Sequence, residues 1–91
     1  MSERVRVVAL VSGYVQGVGY RWFVRELAGA ARVAGSARNL PDGRVEVVAE
    51  GPPDDVRRLV AALAGPRAPG RVESVESRDE PAQGMHGFTT M

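Results

Sequence analysis

Between Arg4 and Ser12 the chain reads RVRVVALVS, with Val5, Val7, Ala9 and Val11 on one face of a strand and Val8 and Leu10 on the other. A strand that is apolar on both faces belongs in the middle of a sheet, so this chain builds its sheet around its first element. The periodicity then switches. Trp22 to Val33 places Phe23, Leu27, Ala30 and Ala31, with Val24 and Ala28 beside them, at the spacing of a helix that buries one stripe. Gly35 to Leu40 and Arg44 to Glu50 flank Pro41-Asp42-Gly43, where proline presets the first turn position and glycine accepts positive φ, so this pair reads as a hairpin. Gly51-Pro52-Pro53-Asp54-Asp55 opens a second helix, with prolines where no N–H is needed and two acids matched to the dipole. Val56, Leu59, Val60 and Leu63 form its apolar stripe. After the Gly/Pro-rich loop 65–70, Arg71 to Arg78 reads as a half-exposed strand in which Val72 and Val75, three apart, predict a bulge. His86 to Met91, carrying Phe88, predicts a short extra C-terminal strand.

The order β, α, β, β, α, β is met most simply by an α+β fold. Its expected form is a ferredoxin-like two-layer sandwich, an antiparallel sheet with two helices on one face, spanning residues 1–91 as a single domain. A chain of 91 residues buries roughly 60 to 70% of its unfolded surface and needs no staple to fold. There is no cysteine and only one histidine, His86, so neither a thiolate nor a histidine metal cluster is available and no cofactor is expected. The apolar run Val7 to Val11 is shorter than a signal segment or a membrane span, which leaves a cytoplasmic protein without membrane attachment as the expectation. A net charge of +1 supplies no general field for nucleic acid, so any basic site is local. Nothing in the pattern demands more than a monomer.

One local site stands out. Gly13 to Arg21 reads GYVQGVGYR, three glycines leading to an arginine at a helix start. A helix N-terminus already carries about half a positive charge, so a cation there is unfavourable unless an anion lies between it and the backbone. Glycines let the loop turn its amides toward the same point, and the expected occupant is phosphate. In the expected fold the first two strands run parallel with the third between them, which puts Asn39, at the end of the second, on the same edge as the loop. Two interstrand spacings, roughly 10 Å, separate their backbones. A looped-out segment and two side chains close that distance.

At these positions the chain resembles the acylphosphatase family, whose pattern is close to GxVQGVxFR followed, eighteen residues after the arginine, by an asparagine in a segment like GWVRNxxDGxVE. Here the residues read GYVQGVGYR and then GSARNLPDGRVE, and the resemblance covers essentially the whole chain. It implies metal-independent hydrolysis of an acyl phosphate, a carboxylic–phosphoric mixed anhydride, to a carboxylate and inorganic phosphate. It places Arg21 and Asn39 at the catalytic positions and Val15, Gln16, Gly17, Val18, Gly19 and Tyr20, with Arg21, at the phosphate-binding loop. The chemistry is consistent with that: an activated anhydride needs its phosphoryl oxygens bound, a water aimed and spreading charge stabilised, with no strong nucleophile. A guanidinium fork suits the phosphate, and a neutral carboxamide can orient water without acting as a base.

Three departures bear on stability. Tyr20 stands where the family has phenylalanine, so its hydroxyl needs a partner. Ser36 and Ala37 replace bulkier residues, and Arg32 falls at a helix end where positive φ costs a non-glycine residue roughly 1 kcal/mol. Glu46, Glu50, Glu73 and Glu76 read as the wet face of a sheet, His86 as a solvated strand residue, and Trp22, Phe23 and Phe88 as core or partly covered surface. The loop is neither a Walker loop, lacking GK[ST], nor a dinucleotide fingerprint, since Trp22 takes the third glycine's place. Arg44 to Glu50 lacks the stacking aromatics of an RNA-recognition module. Two classes remain, a hydrolase and a non-catalytic anion-binding module, and Asn39 separates them because anion binding alone needs no amide to hold water.

Overall fold

The computed structural model describes residues 3–91; Met1 and Ser2, part of the expected 1–91 domain, lie outside the described residues. The elements are β1 (Val5–Tyr14), α1 (Tyr20–Ala31), β2 (Ala34–Asn39), β3 (Val45–Gly51), α2 (Pro53–Ala62), β4 (Arg71–Glu80) and β5 (Phe88–Thr90). They form one five-stranded sheet in the order β4-β1-β3-β2-β5, in which β1 is an interior strand, as its two apolar faces require, and β3 is the middle one. The ferredoxin-like arrangement is present, and the extra strand makes the sheet mixed, because β5 pairs parallel to β2 while the other pairs are antiparallel. The physical reason is the crossover at 81–87: the chain leaves β4 at one edge and reaches the other edge without a hairpin.

Alternation decides which side chains meet the helices. Ala9, Val47 and Ala37 form one cross-strand row and Val11, Val45 and Asn39 the next, so Asn39 continues the buried odd face to its end. Those five apolar residues join Val24 and Ala28 of α1 and Val56 and Leu59 of α2, with Leu63 just beyond, in one core. Each of these side chains is at most 2% exposed. The predicted bulge is real. Ser12 pairs with Ser74 but Gly13 with Val72, which leaves Glu73 as the extra residue. Gly13 therefore serves the strand more than the loop: at φ 128° it sits so close to β4 that a Cβ would collide with the Arg71 carbonyl.

Helix α1 starts at Tyr20, two residues before the predicted Trp22, because Gly19 at φ 84° is its N-cap and the Phe23 amide already bonds the Gly19 carbonyl at 3.0 Å. It ends at Ala31, with Arg32 in the left-handed region at φ 56°. His86 lies in the crossover rather than in a strand.

Glu50 corrects the reading of the acids as a wet face. On the sheet face away from the helices its carboxylate is fully buried, accepting the Gln83 amide at 2.8 Å and the Met85 amide at 2.7 Å. Arg6 Nη1 lies 3.5 Å away. Periodicity gave the side correctly, but the crossover strap covers that side.

Candidate active site

The segment 15–19 between β1 and α1 is held from both ends. Val15 is buried in the core, and Gln16 Nε2 donates to the Leu40 carbonyl at 2.8 Å and the Arg44 carbonyl at 3.0 Å, fastening the loop to the β2–β3 turn. That turn is closed by its own bonds, Leu40 N–H to Arg44 and Gly43 N–H to Leu40. Gly17 at φ 74° and Gly19 at φ 84° occupy left-handed backbone, which lets the loop curl over the start of α1. No side chain caps this helix and no acid stands in its first turn, so its N-terminal amides and dipole face an electropositive cleft.

Val15, Gly17, Gly19, Tyr20, Arg21, Trp22 and Thr90 line that cleft, about 230 Å³ in volume. The Tyr20 side chain is buried, and its hydroxyl donates to the Leu63 carbonyl at 2.7 Å. Burial raises that phenol well above its ordinary range, so it stays protonated. Trp22, read from sequence as core or covered surface, is 62% exposed and stands over the cleft.

Arg21 and Asn39 converge on one atom. The Met91 main-chain oxygen accepts from Arg21 Nη1 at 2.7 Å and from the Asn39 backbone amide at 3.3 Å. A guanidinium has five N–H donors, so the contact leaves most of Arg21's fork for a ligand. Asn39 does not line the 230 Å³ cleft itself; it lies beyond Met91, at the end of β2. Among the described residues its Oδ1 is the one buried side-chain oxygen or nitrogen without a hydrogen-bond partner. A buried acceptor of that kind is costly unless a donor reaches it. Thr90, Met91 and the side-chain role of Gln16 escaped the sequence reading, since a three-residue parallel strand leaves no periodic signal and the carbonyls that Gln16 meets lie 24 and 28 residues away.

A glycine loop at a helix start, with an arginine in the first turn and a buried carboxamide oxygen at the same sheet edge of a two-layer α+β frame, makes a site suited to an anion. The family is then fixed by comparison. The acylphosphatase family model matches residues 7–90. The chain is 53% identical over 93 residues to an acylphosphatase of Streptomyces coelicolor, covering 97% of each chain. It is 50% identical over 88 residues to one of Saccharopolyspora erythraea, covering 96% of this chain and 93% of that one. The crystal structure of acylphosphatase from Bacillus subtilis superposes with a TM-score of 0.88 at 33% identity, covering 96% of this chain and 98% of the other. This chain belongs to the acylphosphatase family, enzymes that hydrolyse acyl phosphates to a carboxylate and inorganic phosphate.

Proposed function

We propose that Arg21 and the backbone amides of residues 15–20 bind the phosphoryl group while Asn39 aims the attacking water, with no metal taking part. The observation that carries this reading is the unpartnered, buried Oδ1 of Asn39, a residue whose backbone amide shares the Met91 main-chain oxygen with Arg21 Nη1. Water supplies the donor this oxygen lacks. The phosphoryl oxygens take the remaining Arg21 donors and the first-turn amides of α1, whose charge-assisted bonds contribute roughly 1.5 to 3 kcal/mol each. In-line attack then expels the carboxylate, a good leaving group, and the charge spreading over the equatorial oxygens meets donors already in place. A carboxamide does not accept the proton near neutral pH, so the water's proton goes to a phosphoryl oxygen.

The metal-independent reading is supported by the donor set: the chain has no cysteine and one histidine, and among the described residues no three His, Cys, Asp or Glu side chains cluster. The proposal includes a monomeric, single-domain, cytoplasmic enzyme whose partners are small acyl phosphates and phosphate rather than nucleic acid. Among the described residues no helix is long and apolar enough to cross a membrane.

The test is phosphate release from benzoyl phosphate and acetyl phosphate, with and without chelator, by the wild type, Arg21→Ala and Asn39→Ala. Arg21→Ala is expected to weaken phosphate inhibition and turnover together. Asn39→Ala is expected to lower kcat by at least about a hundredfold, the scale of losing one positioned catalytic contact, with phosphate inhibition retained. A kcat insensitive to Asn39→Ala would overturn its role, and loss of activity with chelator would overturn metal independence.

A further inference from the structure

Trp22 is the chain's only tryptophan, yet it is 62% exposed, leaving an indole face in water that a ligand can cover. It directly follows Arg21 in the first turn of α1, and successive helical side chains diverge by about 100°. Both residues nevertheless line the same cleft, so the indole borders the pocket that the guanidinium enters.

The cleft has two chemistries. Arg21 is cationic and the backbone at Gly17 and Gly19 is polar, whereas Trp22 is the large exposed apolar side chain of the lining, Val15 and Tyr20 being only 1% exposed. An acyl phosphate divides in the same way, into a charged phosphoryl group and a planar acyl group. At about 230 Å³ the cleft has room for both.

We propose that Trp22 forms the wall that receives the acyl group, so that the enzyme selects planar aromatic acyl phosphates over acetyl phosphate. The inference rests on the assignment of the phosphoryl group to Arg21 and the 15–20 loop, because that assignment points the acyl end toward the indole. An offset aromatic contact favours the aromatic substrate by roughly 5- to 10-fold, while a methyl group gains little from it.

The experiment measures kcat/KM for benzoyl phosphate and acetyl phosphate in the wild type, Trp22→Ala and Trp22→Phe, with inhibition by inorganic phosphate alongside. In Trp22→Ala the benzoyl-to-acetyl ratio is expected to fall roughly 5- to 10-fold, and Trp22→Phe is expected to hold it within about twofold of wild type. Phosphate inhibition stays within about twofold in both, because the lost contact is to the acyl group. An unchanged ratio, or both substrates falling in step, overturns the proposal, the latter marking Trp22 as merely structural. Arg21→Ala in the same assay separates the two readings: full turnover in that variant sinks the phosphoryl assignment, while the Trp22 ratio is read in proteins that retain Arg21.

Discussion

Tyr20 shows what a single side chain does for the frame of the site. Its backbone stands at the start of α1, at the cleft, while its hydroxyl crosses the core to the Leu63 carbonyl just past α2, one of the acceptors a helix end leaves open. Tyr20→Phe is expected to cost about 1 kcal/mol in urea unfolding, because the Leu63 carbonyl stays buried without a donor. An unchanged midpoint would mean that water replaces the hydroxyl. The sequence stated the need for a partner and could not name it, since the partner lies 43 residues away. Asn39 was legible for a different reason: the strand order fixes the sheet edge at which the end of β2 lies. Trp22 was not legible, because a large aromatic within an apolar-rich helix reads as core until the packing shows that the core is already filled.

At the scale of elements, α1 carries the site at one end and strain at the other. The Val33 amide bonds the Ala28 carbonyl at 3.0 Å, a closure that sets Arg32 at φ 56°, where a Cβ crowds the following backbone. Arg32→Gly is expected to stabilise the protein by about 0.5 kcal/mol, the relief of that crowding less the extra freedom of glycine in the unfolded chain. A shift of the denaturant midpoint downward would show that the arginine stem packs more usefully than expected. The existence and type of these elements were readable because stripes and alternation are local properties. Their ends were not, since the start of α1 is decided by Gly19 adopting left-handed backbone, and only the loop's attachment through Gln16 requires that.

The whole molecule is joined by Glu50. The strap 81–87 carries the chain from the β4 edge to β5, and β5 leads to the Met91 main-chain oxygen that Arg21 and the Asn39 amide share, so the carboxylate that pins the strap also helps to set this edge. Burial pushes the Glu50 carboxyl up, but the amides of Gln83, Met85 and Gly84 together with Arg6 outweigh it and hold it below its ordinary 4.5. A carboxyl lowered in the folded state contributes stability that is complete above its unfolded value and is lost as pH falls through its folded value. Stability is therefore expected to drop on acidification below about pH 4.5, and Glu50→Gln, with one acceptor oxygen for two amides, to be less stable at pH 7 with a shallower acid limb. Equal acid slopes in urea titrations of the two proteins would exclude Glu50 as the cause. The sequence by itself determined the order of elements, the inward faces, the glycine loop ahead of α1 and the shared sheet edge of Arg21 and Asn39, because each follows from local periodicity, local backbone freedom or the handed connection of strands. Only the tertiary structure decided the burial of Glu50, the parallel β5, the shared Met91 main-chain oxygen and the exposure of Trp22. Each depends on where a segment lands after crossing the sheet, and that is set by the sum of many weak contacts between residues far apart in the chain.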